Sequence, residues 1–380
     1  KDEKRMNSMN TVLYIAAIVI SVVVGVIVIP QILRLCKKKG LYDLPDERKV
    51  HSNAIPRLGG VSFVPALVVS VGCLIGIMNP LAQGFHFDTW VVLLLCGLMI
   101  MYLIGLADDL IGVSAHGKFL VQILCGMAFP LSGLVINNLY GFCGIYELSA
   151  WISWPLTVFV AVFTMNAVNL IDGIDGLAGC ISLLAAIIFG FLFIHADLPV
   201  YALCSFALVG ALLAFLRFNL GGDASKNTKI FMGDTGSLTL GYILTFFCIR
   251  YAMDDTEVMP YRENALLTAF TIMAVPAMDV LRIVLLRLRT HAPLFKPDKN
   301  HIHHKFMRAG CSPASTLGLI MFIALAFCVM NFGLMKVVPS SIVVLADVVC
   351  WVVLHLILDY KIQKVTGVPF CFLGDNKKKK

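Results

Sequence analysis

Long uninterrupted apolar runs decide what this chain can fold into. About eleven of them have the roughly 17 to 24 residues that a bilayer core demands. They are Val12–Leu35, Val61–Ile77, Trp90–Leu106, Phe119–Ile136, Trp151–Leu170, Leu177–Ile194, Val200–Phe218, the shorter Leu238–Tyr251, Leu266–Leu288, Leu317–Met335 and Ile342–Leu358. In lipid a spanning segment must satisfy its own backbone, so all of these are expected to be helices. The expected fold class is all-α: a polytopic integral membrane protein with about eleven transmembrane helices. Of the 380 residues, 59% are hydrophobic and 14% charged. Soluble domains carry roughly 25% charge. No long polar linker and no internal repeat divides the chain. Residues 1–380 are therefore expected to form a single domain with a short N-terminal tail and a Lys-rich C-terminal one. The twelve cysteines are scattered mostly through the spans, with no Cys-x-x-Cys pair, and read as small packing residues. The first span lacks a small-residue cleavage site and reads as a retained helix.

Lysine and arginine set the orientation. One set of loops carries Lys37 to Lys39, Arg48, Lys49 and Arg57, then Lys226 and Lys229, then Arg289, Lys296, Lys299, Lys305 and Arg308, and finally Lys361, Lys364 and Lys377 to Lys380. The alternate loops carry Asp88, Glu147, Asp197, Asp254, Asp255, Glu257 and Glu263. The basic set is expected in the cytoplasm, with the N-terminus outside and the C-terminus inside.

The unusual polar residues fall on that one face. The first basic loop holds Asp43, Asp46 and His51, then Ile55-Pro-Arg-Leu-Gly-Gly60, where Pro56 and the glycines shape the backbone around Arg57. Span three ends in Asp108 and Asp109. Neighbouring helical residues point about 100° apart, so one can face a site while the other orients a neighbour. Adjacent anions repel, which favours a metal, a cation or a shared proton nearby. Lys118 is either that cation or a snorkelling surface residue. The stretch Asn166-Ala-Val-Asn-Leu-Ile-Asp-Gly-Ile-Asp-Gly-Leu-Ala178 places Asn166, Asn169, Asp172 and Asp175 at three-residue intervals. On a helix they would form one polar stripe about three turns long. A plain helix–loop–helix corner explains one Asp and the glycines and leaves the rest unexplained. Next, Asp234 opens a helix beside Thr235, Gly236 and Ser237. Free N–H groups there suit phosphate oxygens. The carboxylate suits Mg²⁺, which takes one or two protein carboxylates plus phosphate oxygens and waters. Phe231 could stack on a base. Finally, His301, His303 and His304 sit among Lys299, Lys305 and Arg308. Histidines suggest zinc first, but the cations favour a sugar-linked diphosphate.

Together these motifs resemble the polyprenyl-phosphate N-acetylhexosamine-1-phosphate transferase family. The matching residues are Pro56-Arg-Leu-Gly-Gly60, Ala107-Asp-Asp109, the Asn166–Ala178 stretch, Phe231-Met-Gly-Asp-Thr-Gly-Ser237 and His301-Ile-His-His304. They stand in the family's order and span most of the chain. Asp298 to Gly310 looks like the bacterial GlcNAc-1-phosphate branch. The branch that transfers MurNAc-pentapeptide usually shows three successive histidines, and here Ile302 interrupts the run.

The resemblance implies transfer of GlcNAc-1-phosphate from UDP-GlcNAc to undecaprenyl phosphate with release of UMP. This would be the first membrane step of a cell-surface polysaccharide, at a cytoplasmic-face active site in the bacterial inner membrane. Other UDP-N-acetylhexosamines share the same chemistry. The implied cofactor is Mg²⁺, with Mn²⁺ as a substitute. The partners are the UDP-sugar, the polyprenyl phosphate and the membrane; nucleic acid is not expected, and a homodimer is left open. By resemblance, Asp234 is the main metal ligand with Asn169 as a second. Asp108 accepts a proton from the lipid phosphate or positions that phosphate, supported by Asp109. Asp172 assists metal or proton handling. Asp175 binds the uracil edge and Phe231 stacks on the ring. Lys118 and His301 hold phosphates, and Asn166, Arg57, His303 and His304 complete the substrate site. A covalent aspartyl–phosphosugar intermediate is left open. The rival class is an ion-coupled secondary transporter, which would place its acids near the midplane and often in repeated halves.

Overall fold

The computed structural model describes residues 2–42, 54–78, 89–255, 259–293 and 299–367. Asp43, Asp46, Arg48, Lys49, His51, Asp88, Glu257, Lys296, Asp298 and Lys377 to Lys380 lie outside the described residues. The helices in chain order are α1 (Asp2–Lys39), α2 (Phe63–Met78), α3 (Thr89–Ile111), α4 (Ala115–Leu131), α5 (Ala150–Ile171), α6 (Leu177–His195), α7 (Pro199–Asn219), α8 (Gly233–Ala252), α9 (Ala265–Ile272), α10 (Ala274–Arg289), α11 (Ile302–Arg308), α12 (Pro313–Leu334) and α13 (Ser340–Thr366). A short 3-10 turn, Gly59–Ser62, leads into α2. Two compact units result: one of residues 1–135 and 154–251, the other of 136–153 and 252–380.

The all-helical membrane architecture matches the apolar runs, with differences that have physical causes. Among the described residues eight helices are long and apolar enough to cross a membrane, or nine if a bent pair is one span. Two of the eleven expected spans fall short of that test. One is α4, which begins at Ala115 with Ser114 as N-cap and ends at Leu131, earlier than its apolar run. The other is α8, whose sequence is diluted by Gly, Ser and Thr. It tolerates them because its neighbours are protein rather than lipid: from Thr235 to Ile249 nearly every residue is buried.

The run Leu266–Leu288 is not one rod. It breaks at Met273, and α9 and α10 meet at 79°. Pro276 lies four residues beyond Ile272. It has no N–H to give the Ile272 carbonyl, and its ring crowds that carbonyl, so α9 cannot run on. The second departure is a β-hairpin, β1 (Asn138–Phe142) and β2 (Ile145–Glu147), which pair antiparallel. Cys143 and Gly144 join them, both with positive φ. That is the tight two-residue turn whose twist suits a hairpin.

In the first unit α1 packs along α7 through small residues, Gly25 against Ala214 and Gly210 against Ile18 and Ser21. Close backbone approach of this kind is how membrane helices associate without a hydrophobic drive. The start of α8 uses the same device. Gly60 lies directly on Gly236, and a Cβ on Gly105 of α3 would stand 2.5 Å from the Cα of Thr235. Gly60→Val should therefore dislodge the 3-10 turn from α8 at a cost of about 1–3 kcal/mol, typical of overpacking. Gly72→Ala, on α2 with open space around it, should be neutral or slightly stabilising. Thermal unfolding of the two purified variants side by side checks the contrast. Equal midpoints would remove the packing argument.

Candidate functional site

The first N–H groups of a helix lack internal partners, and at α8 they point into the protein. Asp109, from the last turn of α3, meets them. Its Oδ1 accepts from the Asp234 N–H at 2.9 Å, and its Oδ2 accepts from the Thr235 N–H at 2.9 Å and the Thr235 hydroxyl at 2.6 Å. The Asp109 side chain is 2% exposed, so it is a cap and not a surface that a ligand can reach. The expectation that these N–H groups await a phosphate is thus corrected: a carboxylate from α3 already occupies them. Gly233 adopts positive φ where Arg57 and Asp109 crowd its backbone, a place without room for a Cβ. Arg57 donates to the Asp109 carbonyl from Nη2 at 3.0 Å and from Nε at 3.3 Å. Its cation covers one of the orphan carbonyls at the C-terminal end of α3.

With α8 fixed, Asp234 faces outward beside Lys118. The ammonium sits 2.6 Å from Asp234 Oδ2 and 3.1 Å from Asp108 Oδ2. The other Asp108 oxygen accepts the Val113 N–H at 2.7 Å, which turns the chain from α3 toward α4. Asn169 of α5 donates to Asp234 Oδ1 at 3.1 Å and to the Ser237 hydroxyl at 2.8 Å. Burial alone would lower the Lys118 pKa, yet Asp234 and Asp108 hold it above its ordinary value. Burial would likewise raise Asp234, but its hydrogen bonds with Asp108, Lys118 and Asn169 hold its carboxyl below the usual range. Lys118 and Asp234 are 22% and 27% exposed, so both can be reached.

The expected helical stripe from Asn166 to Asp175 does not form. Helix α5 ends at Ile171, and α6 starts after Gly176, whose positive φ ends the turn between them. Asn169 alone of the four contacts Asp234 among the hydrogen bonds described. Asn166 lies one turn earlier and exchanges hydrogen bonds with Gln122 of α4, the shorter at 2.7 Å. Asp172 sits in the turn. Burial, then the charges of Asp234, Asp109 and Asp175, push its carboxyl up to about 7. Asp175 pairs with Lys229 at 2.6 Å. Asn219, which belongs to no motif, ties the two loops together: it accepts from the Gly176 N–H at 2.7 Å and donates to the Ile230 carbonyl at 2.8 Å. Phe231 and Met232 run alongside residues 56–60 with backbone bonds of 2.8 to 2.9 Å to Pro56, Gly59 and Gly60.

A divalent cation fits this donor set. Asp108 and Asp234 each aim an oxygen at one point, where the Lys118 ammonium now lies. Among the described residues no group of three His, Cys, Asp or Glu could hold a metal. The protein would supply two carboxylates at most, as suits Mg²⁺ bound largely through phosphate oxygens and water.

The histidine segment belongs to the second unit. His301 precedes the first residue of α11, and its Nδ1 lies 2.9 Å from Asp279 Oδ2. Asp279 Oδ1 accepts the Ile302 N–H at 3.0 Å and pairs with Arg282 at 3.1 Å. Arg282 also donates to the Asn300 carbonyl. His301 and His303 are buried with parallel rings, and His304 lies against His303. Burial, then the neighbouring His304, lower the His303 pKa to about 3, so its ring stays neutral. Asp279 and Arg282 escaped the reading by motif, although an ionisable pair three residues apart inside an apolar run is itself a signal.

Known proteins align with this arrangement. The sequence profile of Glycosyl transferase family 4 matches residues 91–252, which run from α3 through α8. The chain is 29% identical over 90% of its length to the probable undecaprenyl-phosphate N-acetylglucosaminyl 1-phosphate transferase of Bacillus subtilis, covering 88% of that protein. It is 32% identical over 76% of its length to the undecaprenyl-phosphate alpha-N-acetylglucosaminyl 1-phosphate transferase of Yersinia pestis, covering 75% of it. With the decaprenyl-phosphate N-acetylglucosaminephosphotransferase of Mycobacterium tuberculosis H37Rv it shares 34% identity over 73% of its own length and 72% of the relative's. Five motifs in order, a charged centre at the ends of membrane helices, and identity at this level over most of each partner lead to one conclusion: the chain is a multi-pass membrane enzyme of the polyprenyl-phosphate N-acetylhexosamine-1-phosphate transferase family.

Proposed function

We propose that the enzyme transfers N-acetylglucosamine 1-phosphate from UDP-GlcNAc to undecaprenyl phosphate and releases UMP. The reaction takes place at the cytoplasmic face of the bacterial inner membrane and begins a cell-surface polysaccharide. The observation that carries the reading is Lys118 held between Asp108 and Asp234 at the mouth of α3, α4 and α8. One substrate is a water-soluble nucleotide and the other a lipid phosphate, so their meeting place must be where membrane helices end. Both are anions, so the site must supply positive charge before they can approach in line.

An oxygen of the lipid phosphate attacks the phosphorus that carries the sugar. A new P–O bond forms there as the bond between the two phosphates of the sugar nucleotide breaks, and UMP departs with the bridging oxygen. Mg²⁺, or Mn²⁺ in its place, would be held by Asp234 and supply Lewis-acid neutralisation of the phosphates. Asn169 orients Asp234 through its amide. Lys118 offsets charge on the attacking or transferred phosphate, and Asp108 takes the proton of a lipid phosphate that arrives protonated. Asp109 and Arg57 keep α8 and α3 in register. Asp175 and Phe231 are proposed to hold the uracil. The buried, neutral His303 and its neighbours His301 and His304 are proposed to bind the phosphates and sugar of the nucleotide.

Incubation with undecaprenyl phosphate and a panel of UDP-sugars, with the lipid product weighed by mass spectrometry, tests the reading. A GlcNAc-phosphate adduct is expected, and a different hexosamine would redirect it. Asp234→Asn should lose nearly all transfer while the protein still folds, and a chelator should silence the wild type. Near-normal turnover in either case sinks the metal assignment. Asp108→Asn and Asp109→Asn should fail differently. Asp108→Asn should lose about 10²- to 10⁴-fold in rate, the usual worth of a general base, with UDP-GlcNAc binding intact. Asp109→Asn should lower stability by about 0.5–2 kcal/mol, the scale of a lost helix cap. Titration calorimetry and thermal unfolding separate the two, and a stable, inactive Asp109→Asn would contradict the capping role.

A further inference from the structure

The last membrane helix carries a polar face that the proposed reaction does not use. Along α13, Asp347, Trp351, His355 and Asp359 follow one another every four residues, which puts them on one side of the helix. All four are buried, whereas Leu345, Val349, Val353 and Ile357 are exposed on the other side. Ionisable side chains inside a membrane helix are costly and are retained where they have partners and work to do.

The partners at the Asp359 end come from α11, the helix of the histidine segment. Lys305 is 1% exposed, and its ammonium lies 2.5 Å from Asp359 Oδ1 and 3.2 Å from His355 Nδ1. Burial pushes the Lys305 ammonium down to about 8, and Arg282 and Arg308 add to that push while Asp359 opposes it. Helix α11 has only seven residues, too few to be stable by itself. It is pinned at two points: Asp279 holds His301 and the Ile302 N–H at its start, and α13 holds Lys305 in its middle. Residues on a helix keep fixed angles to each other, so clamping Lys305 sets the rotation of the neighbouring histidines about the helix axis.

We infer that Asp359 and His355 are positioning residues, which act through Lys305 to fix the pose in which α11 presents His301, His303 and His304. The inference rests on the proposal that these histidines bind the sugar nucleotide. It adds that their precision is set from α13, by residues outside every motif of the family resemblance.

The test uses the full-length enzyme and measures KM for UDP-GlcNAc and for undecaprenyl phosphate separately. The double variant Lys305→Met/Asp359→Leu removes both charges, an exchange that buried ion pairs often tolerate without loss of stability. Its UDP-GlcNAc KM should rise at least about tenfold, as misplacement of binding groups does. Its unfolding midpoint, its kcat and its KM for undecaprenyl phosphate should stay near wild type. Asp359→Glu, which keeps the ion pair, should recover most of the loss. An unchanged UDP-GlcNAc KM, a defect confined to undecaprenyl phosphate, or a loss that only follows the folded fraction would overturn the inference. If the double variant does not fold, His355→Leu carries the test. It removes one hydrogen bond and should raise the same KM about threefold or more, and no change refutes the proposal. His301→Ala separates the two layers. A raised KM there with a normal one in the double variant overturns this inference alone. A normal KM in His301→Ala overturns the binding role of the histidines and this inference with it.

Discussion

Everything in the first unit that bears on chemistry depends on where α8 begins, and a single buried carboxylate sets that. A helix start inside a protein exposes N–H groups that no water can satisfy. Asp109 accepts from those of Asp234 and Thr235 and from the Thr235 hydroxyl as well. Because Asp109 sits in the last turn of α3, the bond also ties the end of α3 to the start of α8. Asp108, next in the chain, is thereby aimed at Lys118, and Asp234, the second residue of α8, meets the same ammonium from the other side. Moving the cap would move both carboxylates at once.

The second unit repeats the arrangement with different residues. Asp279 of α10 receives the first N–H of α11 and holds the imidazole of His301. In both units a carboxylate from one helix closes the start of another and leaves the residues just beyond it in a fixed direction. The favourable meeting of negative charge with a helix N-terminus is modest in water and grows with burial. Both carboxylates are almost wholly buried.

Much of this was legible in the amino-acid sequence, for reasons that also mark where legibility ends. Apolar runs exposed the membrane helices because lipid enforces a length. Polar clusters at their ends pointed to Asp108, Lys118, Asn169 and Asp234, and the fold brings these four side chains together. The period of three from Asn166 to Asp175 misled: Gly173 and Gly176 released the backbone after Ile171, and a glycine-rich turn overrode the helical spacing. Pro276 was visible as a letter, but a break also needs surroundings that accept it. Asn219, Gln122 and Asp279 act through partners 11 to 44 residues away in the chain. Such pairings are properties of the packed fold rather than of any local pattern. The polar face of α13 could have been found by counting in fours, since Asp347, Trp351, His355 and Asp359 keep strict step.

The contact between Gly60 and Gly236 carries one more consequence. At most buried contacts a larger side chain on one partner can be accommodated if the other is trimmed, and cores drift by such paired exchanges. Here neither side has anything to trim, because both are already at the smallest residue there is. On the Gly60 side, the junction between the loop that bears Arg57 and the helix that bears Asp234 presents only backbone, with no side chain to give way. A change at one glycine cannot be rescued at the other, and the spacing of the two segments can vary only if the backbones themselves part.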